Sequence, residues 1–260
     1  MSMAGEEKRM TTAGRKSTMG AYTQPRRRDP MRTLTALAAV MLLVVTGCAT
    51  TQQVAVKDQP AICGFLGDAC DQLRPGDTAK GEAGLRYVNP KAQFTQYNKV
   101  IVDVVGFFGS DAAKVPPKDQ QALTDYFYKS LTEQFAKKFQ VVDQAGPGAL
   151  RVQAAILDAE AATPGARSIS MAIPQARALA AGTSLVTGSY PFAGGTQAAV
   201  KFVDSVTGKV VGAVVDRQAG GGSVEAAAQW QWGDAENAIK SWSERLANGL
   251  YAYTSGARKP

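Results

Sequence analysis

Seven segments of the chain show a regular pattern of apolar and polar positions, and they outline a fold. Lys99-Val100-Ile101-Val102-Asp103-Val104-Val105 is apolar on both sides of a two-residue repeat, as expected of a strand covered on both faces. After Pro116-Pro117 the period changes to that of a helix. Leu123, Tyr126/Phe127, Leu131, Phe135 and Phe139 fall three or four residues apart and share one face, while Lys129, Glu133, Lys137 and Lys138 lie off it. Phe139 to Asp143 reads as a strand, Gln144 to Gly148 as a turn, and Ala149 to Glu160 as a strand with Leu150, Val152, Ala154 and Ile156 on one side. Gln197 to Asp204 and Lys209 to Arg217 predict two more strands, joined by Ser205-Val206-Thr207-Gly208 with Gly208 in the left-handed position. Gly220-Gly221-Gly222 ends the sheet. A final helix follows Gly233-Asp234, with Asp234 as its N-cap and Ala235, Ile239, Trp242, Leu246 and Leu250 as its buried stripe.

The order strand, helix, four strands, helix predicts an α+β domain: a mainly antiparallel sheet of about 4–5 strands with two long helices packed on one face. Leu85 to Val88 adds a short extended stretch before Asn89-Pro90. The segment 163–196 is less regular. Ser168 to Ile173 alternates and Gln175 to Ala181 favours helix, with Arg167 and Arg177 almost its only charges. It reads as a loop or helix that covers the core, or else as an exposed apolar patch around 168–186 that marks a partner or membrane contact.

Ahead of the domain, Met31-Arg32 opens an apolar run from Leu34 to Val45, followed by Thr46-Gly47-Cys48. The run is too short to span a bilayer as a helix and has the length of a signal-peptide core. Small residues directly before a cysteine resemble the bacterial lipobox. Cleavage is expected between Gly47 and Cys48, with lipid on the Cys48 thiol. Ala49 is not the aspartate that commonly retains lipoproteins at the inner membrane, so the periplasmic face of the outer membrane is expected. The expected organisation is then 1–30 as a disordered leader or a stretch preceding a true start at Met31, 31–47 as signal, 48–60 as lipidated tether, 61–254 as the domain and 255–260 as a tail. Arg26-Arg27 is a poorer signal, because Asp29-Pro30 follow where apolar residues belong.

Charge and composition then narrow the chemistry. The net charge is +7, but eight of the 29 basic and three of the 22 acidic residues lie in 1–47, leaving 21 against 19. The remaining balance gives no electrostatic case for a nucleic-acid partner. The chain has no histidine, which excludes Ser-His-Asp and Cys-His catalysis and every His-ligated metal site. No metal or cofactor is expected. With Cys48 acylated, Cys63 and Cys70 form an even pair in an oxidising compartment and are expected to be bridged. A straight helix would hold their Cα atoms about 10 Å apart, beyond the roughly 7 Å limit of a disulfide. Residues 63–70 are therefore expected to form a turn. Gly220-Gly221-Gly222-Ser223 lacks the third glycine of a dinucleotide loop, since position 225 is Glu225. Asp103, inside an apolar strand, needs a partner, and Asp216-Arg217 is the expected source. Trp230 and Trp232 are candidates for stacking on a sugar or contacting a partner.

Several stretches in order resemble the DUF3313 family of bacterial lipoproteins: Cys63-Gly64-Phe65-Leu66, Leu85-Arg86-Tyr87-Val88-Asn89-Pro90, Tyr97 to Asp103, Asp204 to Gly208, Val214 to Arg217 and Trp232-Gly233-Asp234-Ala235. The resemblance spans most of residues 61–253. It implies an envelope lipoprotein without an established activity, and the Cys63/Cys70 pair departs from the family, where serine commonly stands at the first position. Two functions follow as expectations. One is a non-enzymatic outer-membrane lipoprotein that binds an envelope protein or peptidoglycan. The other is a carboxylate-dependent hydrolase, which requires two acids about 5–10 Å apart in a cleft; Asp103 and Asp158 facing each other in a pocket would favour it.

Overall fold

The computed structural model describes residues 51–58, 60–109, 114–187, 189–222 and 230–260. The segments expected to be leader and export signal, and Cys48, expected to carry the lipid, lie outside the described residues. Among the described residues nine strands form one sheet. The first five are β1 (Thr51–Val54), β2 (Arg74–Pro75), β3 (Leu85–Val88), β4 (Lys99–Val102) and β5 (Gly106–Phe107), and the others are β6 (Gln140–Val141), β7 (Ala149–Glu160), β8 (Gly195–Asp204) and β9 (Val210–Gly220). Their order is β2-β3-β9-β8-β7-β4-β6, with β1 also on β9 and β5 also on β7. Among the described residues five α-helices complete the domain: α1 (Pro60–Leu66), α2 (Pro117–Ala136), α3 (Pro164–Ala172), α4 (Pro174–Thr187) and α5 (Gly233–Thr254).

The α+β class agrees with the sequence, but the sheet is larger than the expected 4–5 strands and is mixed. β4 runs parallel to both β6 and β7, and β5 runs parallel to β7. The additional strands are two to four residues long, too short to display a period of two. They are held by neighbours rather than by their own pattern. Part of the stretch read as tether is among them: Thr51 to Val54 pairs with Gly220 to Arg217.

The two long helices pack on one sheet face as expected. Leu123, Phe127, Leu131 and Phe135 of α2 meet Ala238, Ile239, Trp242 and Leu250 of α5 over Leu150, Val152, Ile156 and Val200 of the sheet. The opposite face is covered by α1 and the 3-10 helix that follows it (Gly67–Gln72). Ile62, Leu66 and Ala69 pack there on Ala155, Leu157, Ala199 and Val215. Bridging of Cys63 and Cys70 is present, with Cα atoms 5.1 Å apart. The connection is helical rather than a simple turn. Gly67 adopts φ 59°, breaks the α-helix and lets the chain double back as a tighter helix, which brings Cys70 within reach.

Two other expectations change. The strand from Lys99 ends at Val102, and Val104 is solvent-exposed. Asp234 does not cap α5. It sits in the first turn, and its carboxylate turns inward to Arg167 and the Gly194 N–H. The irregular segment folds as α3 and α4. Ala180 is buried against Tyr190, yet Leu179, Leu185 and Val186 are 74%, 89% and 88% exposed.

Candidate binding cleft

The sequence-selected residues do not converge on one site. Asp103 pairs with Arg151 at 2.7 Å and accepts from Gln153 at 2.8 Å, both on the adjacent β7. Burial alone would raise its pKa, but Arg151 and Gln153 outweigh burial and lower it. The expected Asp103 partnership with Asp216-Arg217 is therefore wrong. β7 lies next to β4, whereas β9 is separated from β4 by two strands. Arg217 pairs instead with Glu160 at 3.2 Å. Asp158 lies five residues beyond Gln153, roughly 16 Å along an extended strand, so Asp103 and Asp158 do not face each other. Asp158 shares Lys57 with Glu160. Trp232 is only 3% exposed and donates to Asp119 at 2.9 Å, which removes it as a surface platform. Trp230 is 43% exposed and donates to Glu236 at 3.1 Å.

A site does form where the sequence pointed to none. α5 leans over β3, β9 and β8 and encloses a cleft of about 170 Å³. Its floor is apolar, made by Phe94, Phe127, Phe202, Val214, Leu246 and Leu250. These residues belong to the stripes and strand faces that bury apolar surface; at this edge the helix and sheet simply do not close completely. The mouth is polar. Lys80, Arg86, Arg245 and Arg258 line it together with Glu82 and Asp216.

These groups hold one another in place. Asp216 accepts from Trp242 Nε1 at 2.7 Å, from Arg245 at 2.8 Å, from the Gly84 N–H at 2.9 Å and from Gln53. Arg86 donates to Glu82 at 2.8 Å and to Tyr253 Oη at 2.6 Å. Arg258 reaches Glu82 from the chain end and stacks over the Tyr253 ring, 5.3 Å from its centroid. The last residues, expected to be a loose tail, thus contribute to the mouth. Arg245 Nε is buried without a hydrogen-bond partner.

Burial would raise the Glu82 pKa, but the Asp77 N–H, Arg258 and Arg86 outweigh it and lower the carboxyl to about 2 from an ordinary 4.5. The folded-state pKa is depressed, so the stabilisation is fully present above the unfolded value and is lost as pH falls towards the folded one. Urea unfolding of the protein and of Glu82→Gln is expected to show a clear gap in midpoint near neutral pH. The gap should close as pH drops from about 4.5 towards about 2; a gap that does not change over that range would contradict the ion-pair network.

The family model described as a protein of unknown function (DUF3313) matches residues 62–246. The chain belongs to the DUF3313 family. No curated protein matches it. Among solved structures it is similar to the PelC dodecamer from Paraburkholderia phytofirmans, at 10% identity and a TM-score of 0.36, over 64% of this chain and 94% of that one. It is also similar to protein XCC0632 from Xanthomonas campestris, a structure titled with the family model DUF330. There the identity is 13% and the TM-score 0.37, over 65% of this chain and 94% of that one.

The missed residues were hard to find in sequence for a physical reason. Arg86 and Tyr253 are 167 positions apart, and Glu82 and Arg258 are 176 apart. One local signal did exist: a glycine, Gly249, stands inside α5 on the turn that carries Leu246 and Leu250.

Proposed function

We propose that this DUF3313 member is a non-catalytic lipoprotein, held by lipid on Cys48 to the periplasmic face of the outer membrane, where it serves as an accessory binding module for an envelope protein. The observation that carries the anchored reading is the α3–α4 hairpin. Its 24 positions from 164 to 187 contain no acidic residue, and Ile173, Leu179, Leu185 and Val186 are exposed on it. Such a surface suits the interface of an anionic leaflet.

The hairpin also lies at the anchor's end of the domain. Thr51 pairs with Gly220, whose N–H bonds Gly194, and Arg167 of α3 bonds the next carbonyl, Gly221. Cys48 precedes Thr51 by three residues, which span at most about 11 Å. Among the described residues no helix is long and apolar enough to cross a membrane. A protein partner is favoured over peptidoglycan because burial of Trp232 leaves Trp230 without its neighbour for stacking. The hydrolase alternative loses its support with the separation of Asp103 from Asp158.

The test is metabolic labelling with a clickable palmitate, followed by cell fractionation. Cys48→Ser is expected to abolish labelling and release most of the protein. Adding Leu179→Asp and Leu185→Asp is expected to release the remainder. An unlabelled wild-type chain, or Cys48→Ser protein that stays fully membrane-bound with both aspartates in place, would refute the anchored reading.

A further inference from the structure

Gly249 has no local reason to be a glycine. It lies inside α5, where glycine is less favourable than alanine by about 1 kcal/mol, and its φ is not in the left-handed region. A Cβ at this position would meet nothing within 4 Å, so no neighbouring atom excludes a side chain. What Gly249 does is line the cleft. Gly212 of β9 is also inside a regular element and also lines the cleft. A Cβ there would come no closer than 3.4 Å to Tyr87 O and 3.6 Å to Phe202. Two glycines that packing does not demand, in elements that disfavour glycine, keep the same space open.

The chemistry of that space is two-sided. An apolar cavity of about 150 Å³ takes up a benzene-sized guest, and this floor is comparably apolar and of similar volume, about 170 Å³. The mouth carries four cationic side chains, Lys80, Arg86, Arg245 and Arg258, against the two carboxylates of Glu82 and Asp216. Lys80 is paired with Asp77 at 2.8 Å, so the excess is one positive charge. Arginine forks match a carboxylate or phosphate geometrically. We infer that the cleft binds a single-chain anionic amphiphile, with its alkyl tail on the Phe94–Leu250 floor beneath Gly249 and its carboxylate or phosphate head among the arginines. This is independent of the membrane-anchored reading, since it rests on residues at the α5 edge rather than on Cys48 or the hairpin.

Titration calorimetry of the purified full chain with decanoate, decyl phosphate, decanol and lysophosphatidylglycerol tests it. The anionic amphiphiles are expected to bind and decanol to bind at least about tenfold more weakly. Gly249→Leu places a side chain on the cleft wall, where its Cβ meets no atom within 4 Å. It is expected to weaken decanoate binding by about tenfold or more while leaving the melting temperature unchanged or higher. Arg258→Gln is expected to reduce the preference for decanoate over decanol. Tighter binding of lysophosphatidylglycerol assigns the ligand to membrane lipid, and tighter binding of decanoate assigns it to free fatty acid; both support the site. No binding of any anionic amphiphile up to about 1 mM, equal affinity for decanol, or a stable Gly249→Leu protein that binds decanoate like the wild type would each overturn the inference.

Discussion

Alanine in place of Arg167 is expected to destabilise the domain by about 3–5 kcal/mol, the range for removing one partner of a buried ion pair. Both side chains of the Arg167–Asp234 pair are essentially inaccessible to water. Asp234 also accepts from the Gly194 N–H at 2.8 Å, and Arg167 donates to the Gly221 carbonyl at 2.8 Å. The pair therefore ties α3, the end of β9, the start of β8 and the first turn of α5 into one knot. Removing the guanidinium leaves a carboxylate in the interior with only one backbone donor. It still gains from the N-terminus of α5, but that interaction is worth at most about 2 kcal/mol. Gly220 is required beside it, because a Cβ there would collide with the Asp234 carboxylate and the Arg167 guanidinium. Urea denaturation measures the loss. The double substitution Arg167→Met with Asp234→Leu is expected to recover most of it, since an apolar pair of similar size avoids the desolvation cost. A single Arg167→Ala that costs less than about 1 kcal/mol would show that water reaches the pair after all.

Phe135→Ala is expected to cost a similar amount, about 3–5 kcal/mol, by a different mechanism. Phe135 is fully buried on α2. Its ring lies 5.9 Å from that of Phe139 and 6.3 Å from that of Phe202 on β8, the latter edge-on. Truncation leaves a void between helix and sheet that rigid neighbours cannot fill. Phe135→Leu keeps most of the volume and is expected to cost less than about 1.5 kcal/mol. Thermal or urea unfolding separates the two. Equal losses for leucine and alanine would mean that ring geometry rather than filled volume sets the stability here.

These two substitutions differ in how far the sequence foretold them. Phe135 belongs to a stripe with helical spacing, and the burial of that stripe could be read directly from the residues. The same holds for the alternation of Leu150, Val152, Ala154 and Ile156 and for the left-handed turn at Gly208, where φ is 71°. The bridge between Cys63 and Cys70 was legible too, by counting cysteines, although the helical path between them was not. Arg167 looked like one of two charges in an irregular segment, and Asp234 like an N-cap. Their pairing across 67 positions has no local signature.

The candidate site divides in the same way. Asp103 needed a partner, and the sequence stated the need but named the wrong residue. Whether β7 or β9 lies beside β4 depends on strand order, which a β4–α2–β6 crossover and two hairpins decide together. Trp230 and Trp232 were equivalent on paper, yet the turn into α5 buries one and exposes the other. The arginines of the cleft mouth come from β3, α5 and the chain end, and they became neighbours only once α5 lay across the sheet edge.

Periodicity and turn chemistry act between residues a few positions apart, so the sequence alone determined the long elements, their buried faces and the α+β class. The register of the short strands, the partners of the charged groups and the gap left open beside Gly249 depend on contacts between distant segments. Only the tertiary structure decided those, because each is settled by which surfaces are left to meet after the long elements have packed.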